Sequence, residues 1–208
     1  MLKTERMDRV RAALRAQGLT QMIVCDPKSV WYLTGVAVEP YERLLALYLP
    51  TEGDPVLFLN RLFNVPEPPC RTVWHTDTDK PVAQIAEVVD AGKPLGIDKE
   101  WPAKFLIPLM ETHPGMQVVL SSDCVDDCRA CKDVEEQTLM REASRINDAV
   151  NEAAKHYIKA GMTEREVAEF IDAQFRAHGC EGPSFTTIVS FGANAADPHH
   201  EPDDTVLK

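Results

Sequence analysis

Two adjacent histidines near residue 200 are the strongest candidates for chemistry in this sequence of 208 residues. His199 and His200 follow a run of small residues and stand among carboxylates, namely Asp197, Glu201, Asp203 and Asp204. Imidazole and carboxylate groups suit first-row divalent cations, and an imidazole can also donate a hydrogen bond to a substrate carbonyl. The residue types therefore leave three alternatives: a metal site, a substrate-binding histidine, or a solvated polar loop without a function.

The spacing of the two histidines argues against a shared metal ion. Adjacent residues in an extended segment point in opposite directions, so His199 and His200 would not face one cation together. The preceding segment ends on Gly192, and small residues after it let the backbone approach a ligand: Ala193, Ala195 and Ala196. This context favours a single histidine that contacts a substrate.

Three closely spaced cysteines form a second candidate site. Cys124, Cys128 and Cys131 have the spacing with which radical SAM enzymes hold an iron–sulfur cluster. Such a cluster loop belongs early in a barrel of repeated β/α units, and no barrel pattern follows residue 131. The favoured interpretation is therefore that these thiols lie on a linker helix and bind no metal, as reduced cysteines of a protein without an export signal.

Composition and charge limit the class of protein. The chain is 44% hydrophobic and 26% charged, and its net charge is −11. This acidic balance argues against nucleic-acid binding, which uses clustered lysine and arginine. No apolar run reaches the roughly 18 residues of a membrane span, and the charged N-terminus lacks the apolar core of a signal peptide. We expect a cytoplasmic protein.

The first half of the chain has the pattern of an α/β domain with a mixed sheet, which we place at residues 1–127. Short apolar runs bounded by turn residues predict strands, and two of them flank Thr51–Asp54 as an antiparallel hairpin. Helical spacing predicts helices between the strands, including one over Pro81–Gly92. Strands alternating with helices indicate helices packed on the sheet.

The second half, residues 128–208, has the pattern of an α+β domain that begins with two helices. Asp133 and Glu136 predict a capping box before a long helix that runs to about residue 160, and Thr163 and Glu166 predict a second. The apolar stripe of the long helix includes Leu139, Ile146 and Val150. A strand is expected over residues 185–192, directly before the histidines.

Four segments, in this order along the chain, resemble the creatinase/prolidase/aminopeptidase P family of pita-bread metallopeptidases. "DPKSVWYLTGV" is similar to a phrase of that family's N-terminal domain, and "CRACKDVEEQTLMREASRINDA" resembles its linker and first helix. "IKAGMTEREVAEFI" resembles the turn between its first two helices. "SFTTIVSFGANAADPHH" resembles the strand and histidine loop that lead to its active site. The resemblance implies a creatinase-like N-terminal domain followed by the start of a pita-bread domain.

The resemblance also implies a function and roles for the histidines. Family members hydrolyse peptides with proline in the second position, as Xaa-Pro dipeptidases or aminopeptidases, through a water activated by two divalent ions (Mn, Co or Zn). His199 matches the first active-site histidine, which binds the substrate or the tetrahedral intermediate and no metal. His200 is its neighbour and helps to shape the pocket. The implied partner is a proline-containing di- or oligopeptide.

The sequence departs from the family pattern at its C-terminal end. The family's metal ligands, two Asp, one His and two Glu, follow the histidine loop, and none can be assigned here. We therefore expect no metal ligand in this chain and no activity from it alone. Helix faces without their sheet predict a homodimer or association with a missing C-terminal half. The alternatives are a non-catalytic, peptidase-like protein-binding module and a creatinase-type amidinohydrolase.

Overall fold

A six-stranded mixed sheet forms the centre of the first part of the computed structural model, which describes residues 2–208. Its strands, in chain order β1 to β6, are Gln21–Val24, Ala46–Pro50, Val56–Asn60, Arg71–His75, Leu95–Ile97 and Val118–Leu120. The spatial order is β4-β3-β2-β1-β5-β6. Strands β1, β2 and β3 pair antiparallel, whereas β3–β4, β1–β5 and β5–β6 pair parallel. The predicted mixed sheet is confirmed.

The turn between β2 and β3 forms the hairpin that the sequence predicts. Leu47 pairs with Leu57 in an antiparallel register. Gly53 in the connecting turn has a φ of +92°, a left-handed conformation that side chains disfavour. The turn chemistry at residues 51–54 therefore fixes the pairing of the two strands.

Five helices cover the two faces of the sheet. They are α1 to α5 in chain order: Thr4–Ala16, Pro27–Thr34, Pro81–Ala86, Ala103–Thr112 and Asp123–Ala130. Met22 and Val24 of β1 belong to one core cluster, with side chains from α1, α2 and α5. Ile23 belongs to a second cluster, with side chains from α3 and α4. The period of two along β1 thus places helices on both faces.

Helix α3 is shorter than predicted because the helical hydrogen-bond pattern changes at Val88, whose N–H donates to the Ile85 carbonyl oxygen at 3.0 Å, and Asp90 then bonds outside the helix. The backbone N–H of Asp90 donates to Gln21 Oε1 at 2.9 Å, and its carboxylate accepts from the N–H of Gly92 at 3.0 Å. These contacts to β1 and to the following turn replace the next helical bonds. The helix therefore ends at Ala86, and the chain turns toward β5.

The cysteines of α5 pack into the first core cluster. Cys124 is buried and Cys128 is half-buried, and both contact this cluster. Burial raises the pKa of Cys124 to about 11, with the neighbouring Cys128 adding to the shift, so the group stays a neutral thiol at neutral pH. Cys124 and Cys128 thus lie on a helix, as the sequence predicts, and their side chains contribute to the packing of this core cluster.

Two long helices begin the second unit, which starts at Lys132, whereas the first unit ends at Cys131. Helix α6 covers Val134–Tyr157 and α7 covers Glu164–Ala177. Both predicted capping boxes are present, at Asp133/Glu136 and at Thr163/Glu166. The helices pack through apolar contacts that include stacked rings of Tyr157 and Phe170, with centroids 3.8 Å apart. Among residues 2–208, no helix combines the length and apolarity that a membrane crossing requires.

The strand predicted over residues 185–192 is not formed. A strand needs a hydrogen-bonded neighbour, and no segment within residues 2–208 pairs with this one. Val189 is nevertheless buried, and Thr187 Oγ1 donates to Asp172 of α7 at 2.5 Å. The β-rich composition therefore gives an extended segment that is tied to α7, and not a member of a sheet.

Gly96 in β5 lies where the backbone of β1 and the side chain of Ser121 approach closely. A methyl group there would come within 2.5 Å of Ser121 Oγ and 3.2 Å of the Gln21 carbonyl oxygen. We expect Gly96→Ala to lower the free energy of unfolding of the first unit by about 1–3 kcal/mol, because overpacking displaces the strands. Urea denaturation followed by tryptophan fluorescence measures this directly, since all three tryptophans lie in this unit.

The matched control for this substitution is Gly92→Ala. An added methyl group there meets only the Asp90 carboxylate, at 3.3 Å, in an exposed turn. Its effect should stay within about 0.5 kcal/mol. Equal unfolding midpoints for the two variants would contradict the packing argument.

Candidate functional site

The candidate site is built around the segment of residues 191–205, called here the histidine loop. It begins with a short 3₁₀ segment, Gly192–Ala196, in which Asn194 N–H donates to the Phe191 carbonyl oxygen at 3.1 Å. Gly192 has a φ of +55°, so the turn into this segment favours glycine. Asp197 Oδ1 then accepts from the N–H of His199 at 2.9 Å, which shapes the approach to the two histidines.

The two histidines have different surroundings. The His199 side chain is exposed, and its ring has no hydrogen-bond partner within residues 2–208. The His200 side chain is only 16% exposed, and its Nε2 lies 2.7 Å from Glu164 Oε2. One imidazole is therefore free to meet a ligand, whereas the other is engaged inside the protein.

Glu164, the first residue of α7, has a side chain with no exposed surface. Its Oε1 accepts from the Phe191 N–H at 2.6 Å and from Asn194 Nδ2 at 3.0 Å. Its Oε2 accepts from His200 Nε2 at 2.7 Å and from the Asp203 N–H at 3.1 Å. All four donors come from the histidine loop. A buried carboxylate requires such partners.

These hydrogen bonds decide the ionisation state of Glu164. Burial alone would raise the pKa of its carboxyl group, since it disfavours the charged form. The bonds donated by Phe191, His200, Asp203 and Asn194 outweigh burial and lower the pKa to about 2. The site therefore holds a carboxylate ion at neutral pH.

The geometry also locates a proton on His200. A carboxylate only accepts, so the contact of His200 Nε2 with Glu164 requires a proton on Nε2. Asn194 Nδ2 lies 3.1 Å from the same nitrogen, but its two protons go to Glu164 Oε1 and to Thr205 Oγ1, the latter at 3.2 Å. The approach of Asn194 to His200 is therefore a packing contact. Each of the four hydrogen bonds that Glu164 accepts comes from a different donor group.

One group of side chains has the spacing of a metal site. Ligand atoms of Glu164, His200 and Asp203 lie within 4.8 Å of one another. The hydrogen bonds use the four lone-pair directions of Glu164, and the Asp203 carboxylate accepts from the Thr205 N–H at 2.7 Å. His200 Nε2 carries a proton and cannot ligate. This cluster does not fit a divalent cation.

The other acids near the histidines stand outside this group. Asp204 pairs with Arg165 at 3.1 Å on the surface, Asp197 caps the His199 N–H, and Glu201 is exposed. The carboxylates that surround the histidines in the sequence therefore do not converge on one point in the structure.

Glu164 and Asn194 are the two site residues that sequence reasoning does not single out. Glu164 follows the capping residue Thr163 and looks like a surface acid in the first turn of a helix. The capping box is completed by Glu166, however, so Glu164 has no capping role. That redundancy is the signal that could have identified it.

A known family model matches each of the two units. The model of the Creatinase/Prolidase N-terminal domain matches residues 6–131, and that of Metallopeptidase family M24 matches residues 138–208. The chain belongs to the creatinase/prolidase family. The family resemblance carried by the four sequence segments is thereby confirmed. So is the fold class, an α/β domain similar to the creatinase N-terminal domain followed by the start of the peptidase domain.

Several relatives and solved structures resemble the chain along nearly its whole length. A peptidase of Staphylococcus aureus is 31% identical, covering 89% of this chain and 53% of the relative. The dipeptidase PepE of Mycobacterium ulcerans matches with a TM-score of 0.87 and 28% identity, covering 99% of this chain and 57% of that one. A prolidase of Thermococcus sibiricus matches with 0.88 and 26%, covering 100% and 59%. The chain thus spans a little over half the length of the relatives it matches.

The ionised Glu164 makes the stability of the second unit depend on pH. Its pKa in the folded protein, about 2, lies below its ordinary value of 4.5, so the unfolded chain binds more protons between these values. The stabilisation is complete above the ordinary pKa and is lost as the pH falls toward the folded one. Thermal unfolding, followed through the methyl resonances of Val150 and Val167, should show this loss between about pH 5 and pH 2.

Glu164→Gln isolates this contribution. The variant should be less stable than the parent at neutral pH, and the difference between the two should shrink as the pH falls through this window. Glu201→Gln, which removes an exposed acid of the same loop, should keep the pH dependence of the parent. A constant difference between parent and Glu164→Gln across the window would contradict the assignment.

Proposed function

We propose that this chain serves as the N-terminal portion of a metal-dependent Xaa-Pro dipeptidase or aminopeptidase, which hydrolyses peptides with proline in the second position. The observation that carries the proposal is the exposed ring of His199 on a loop anchored to a buried carboxylate. Both units match the same family, and the structural relatives include a dipeptidase and a prolidase. A proline-containing peptide in the cytoplasm is the proposed substrate.

The two histidines take different parts in this proposal. His199 is the residue that contacts the substrate, since its ring is exposed and has no partner within residues 2–208. An imidazole N–H can donate to a carbonyl or to an oxyanion. His200 is hydrogen-bonded to Glu164. In this proposal it shapes the pocket and supports the backbone next to His199.

We propose that the activity uses two divalent ions, such as Mn, Co or Zn, and that this chain itself holds neither of them. When bound, they supply an activated water. The Glu164–His200–Asp203 cluster does not fit a cation, because its ligand atoms are occupied by hydrogen bonds. We therefore propose that the chain alone hydrolyses no peptide.

The test of this function is the activity of the whole protein that contains this chain, assayed with Gly-Pro and Mn²⁺. We expect His199→Ala to lower kcat by about 10²–10³-fold, the cost of losing one donor to a developing oxyanion. His156→Ala, which removes an exposed histidine of α6, is the matched control and should keep full activity.

Three results would contradict the proposal. Hydrolysis of creatine in place of Gly-Pro would indicate a creatinase-type amidinohydrolase. No hydrolysis of either compound by the metal-loaded whole protein would indicate a non-catalytic binding module. A His199→Ala variant with unchanged kcat would remove His199 from the reaction.

The first turns of α6 lead us to propose that the chain associates with a second copy. Val134, Leu139 and Met140 are 80%, 66% and 56% exposed there, and exposed apolar groups on neighbouring turns favour a partner. Sedimentation at micromolar concentration should show a dimer, and the pair of substitutions Leu139→Lys and Met140→Lys should shift it to monomer. Asp148→Lys, on an exposed position of the same helix, should leave the dimer intact. A monodisperse parent monomer would contradict the proposal.

A further inference from the structure

The buried carboxylate of Glu164 does not cap the helix to which it belongs. The N-terminus of α7 is capped by Thr163, whose side chain accepts a hydrogen bond from the Glu166 N–H. In turn, the Glu166 carboxylate accepts from the Thr163 N–H. The cap of α7 is therefore complete without Glu164. A buried carboxylate needs hydrogen-bond donors around it, so the groups that donate to Glu164 indicate what it stabilises.

Those groups are the two ends of the histidine loop. Phe191 and Asn194 precede His199, and His200 and Asp203 follow it, and all four donate to the same carboxylate. Their separations from Glu164 along the chain range from 27 to 39 residues. One side chain thus closes a loop whose exposed member is His199.

Backbone bonds hold the C-terminal end of the loop to the same helix terminus. The Glu164 N–H donates to the Thr205 carbonyl oxygen and the Arg165 N–H donates to the Asp203 carbonyl oxygen, each at 3.1 Å. These contacts restrain residues 203–205. The N-terminal end is held by the bonds of Phe191 and Asn194 to the carboxylate, together with the bond from Asn194 Nδ2 to Thr205 Oγ1. The position of His199 between the two ends therefore depends on Glu164.

We infer that Glu164 is a positioning residue for His199, acting through the hydrogen bonds that it accepts from both ends of the histidine loop. This inference rests on the proposed function, in which His199 contacts the substrate. Replacing the carboxylate with a methyl group leaves four donors without an acceptor and frees the N-terminal end of the loop. The ring of His199 then no longer occupies one place, and misplacement on the scale of an ångström costs about 100-fold in rate.

The first measurement uses the 208-residue chain and needs no activity. In Glu164→Ala, the amides of Phe191 and Asp203 should exchange hydrogen much faster than in the parent, whereas the amides of α6 should keep their protection. Glu164→Gln, which keeps one acceptor oxygen, should lie between. Glu169→Gln removes an exposed acid of the same helix and should match the parent. Unchanged exchange at Phe191 in both Glu164 variants would overturn the inference.

The second measurement separates positioning from general damage to the fold. In the whole protein, Glu164→Ala should lower kcat for Gly-Pro by about 10–100-fold in the parent background. In the His199→Ala background, the same change should lower kcat less than about twofold, because residues that act as one unit are not additive. Equal losses in both backgrounds would mean that Glu164 does not act through His199.

The two measurements distinguish this inference from the proposed function. If the whole protein hydrolyses neither peptide nor creatine, the proposed function fails, and the exchange rates still decide whether Glu164 holds the loop. If Glu164→Ala does not fold, hydrogen exchange and kcat are both measured on Glu164→Gln instead. Fast loop exchange together with equal kcat losses in both backgrounds would reduce Glu164 to a residue of fold stability alone.

Discussion

A single buried carboxylate organises the histidine loop, which is the candidate site of this protein. Glu164 has no exposed surface, and each of its oxygens accepts two hydrogen bonds from the histidine loop. Burying a carboxylate is unfavourable unless donors surround it. The loop supplies these donors from Phe191, Asn194, His200 and Asp203, so the charge and the loop stabilise each other. The exposed His199 is the side chain that this arrangement presents.

The first unit contains a buried carboxyl group whose pKa is raised, whereas the pKa of Glu164 is lowered. Asp98, at the end of β5, accepts from the backbone N–H groups of Cys25, Asp26 and Glu100. Burial raises its pKa, with the neighbouring Asp26 adding to the shift, although these hydrogen bonds oppose it. Glu164 has side-chain donors in addition to amides, and its pKa falls. Burial therefore outweighs the hydrogen bonds at Asp98, whereas the hydrogen bonds outweigh burial at Glu164.

Local sequence signals predicted the elements that local interactions determine. Both capping boxes pair residues three positions apart, and the β2–β3 hairpin depends on a turn at Gly53, so short spacings sufficed to find them. The extended segment of residues 185–192 has the composition of a strand, but pairing requires a partner that composition does not reveal. The hydrogen bonds to Glu164 join residues up to 39 positions apart in the sequence. Hydrophobic periodicity gives no signal for such long-range contacts. The order of the motifs, by contrast, was sufficient to identify the family.

His200 Nε2 donates its proton in a hydrogen bond to an ionised Glu164, and the rest of the site depends on this contact. The most direct measurement is an NMR spectrum of the histidine ring nitrogens together with the carboxyl carbon of Glu164, in the parent protein near neutral pH and at lower pH. We expect Nε2 of His200 to carry a proton and the Glu164 carboxyl carbon to keep the chemical shift of a carboxylate well below pH 4.5. An unprotonated Nε2, or a Glu164 that titrates at its ordinary pKa, would contradict this expectation.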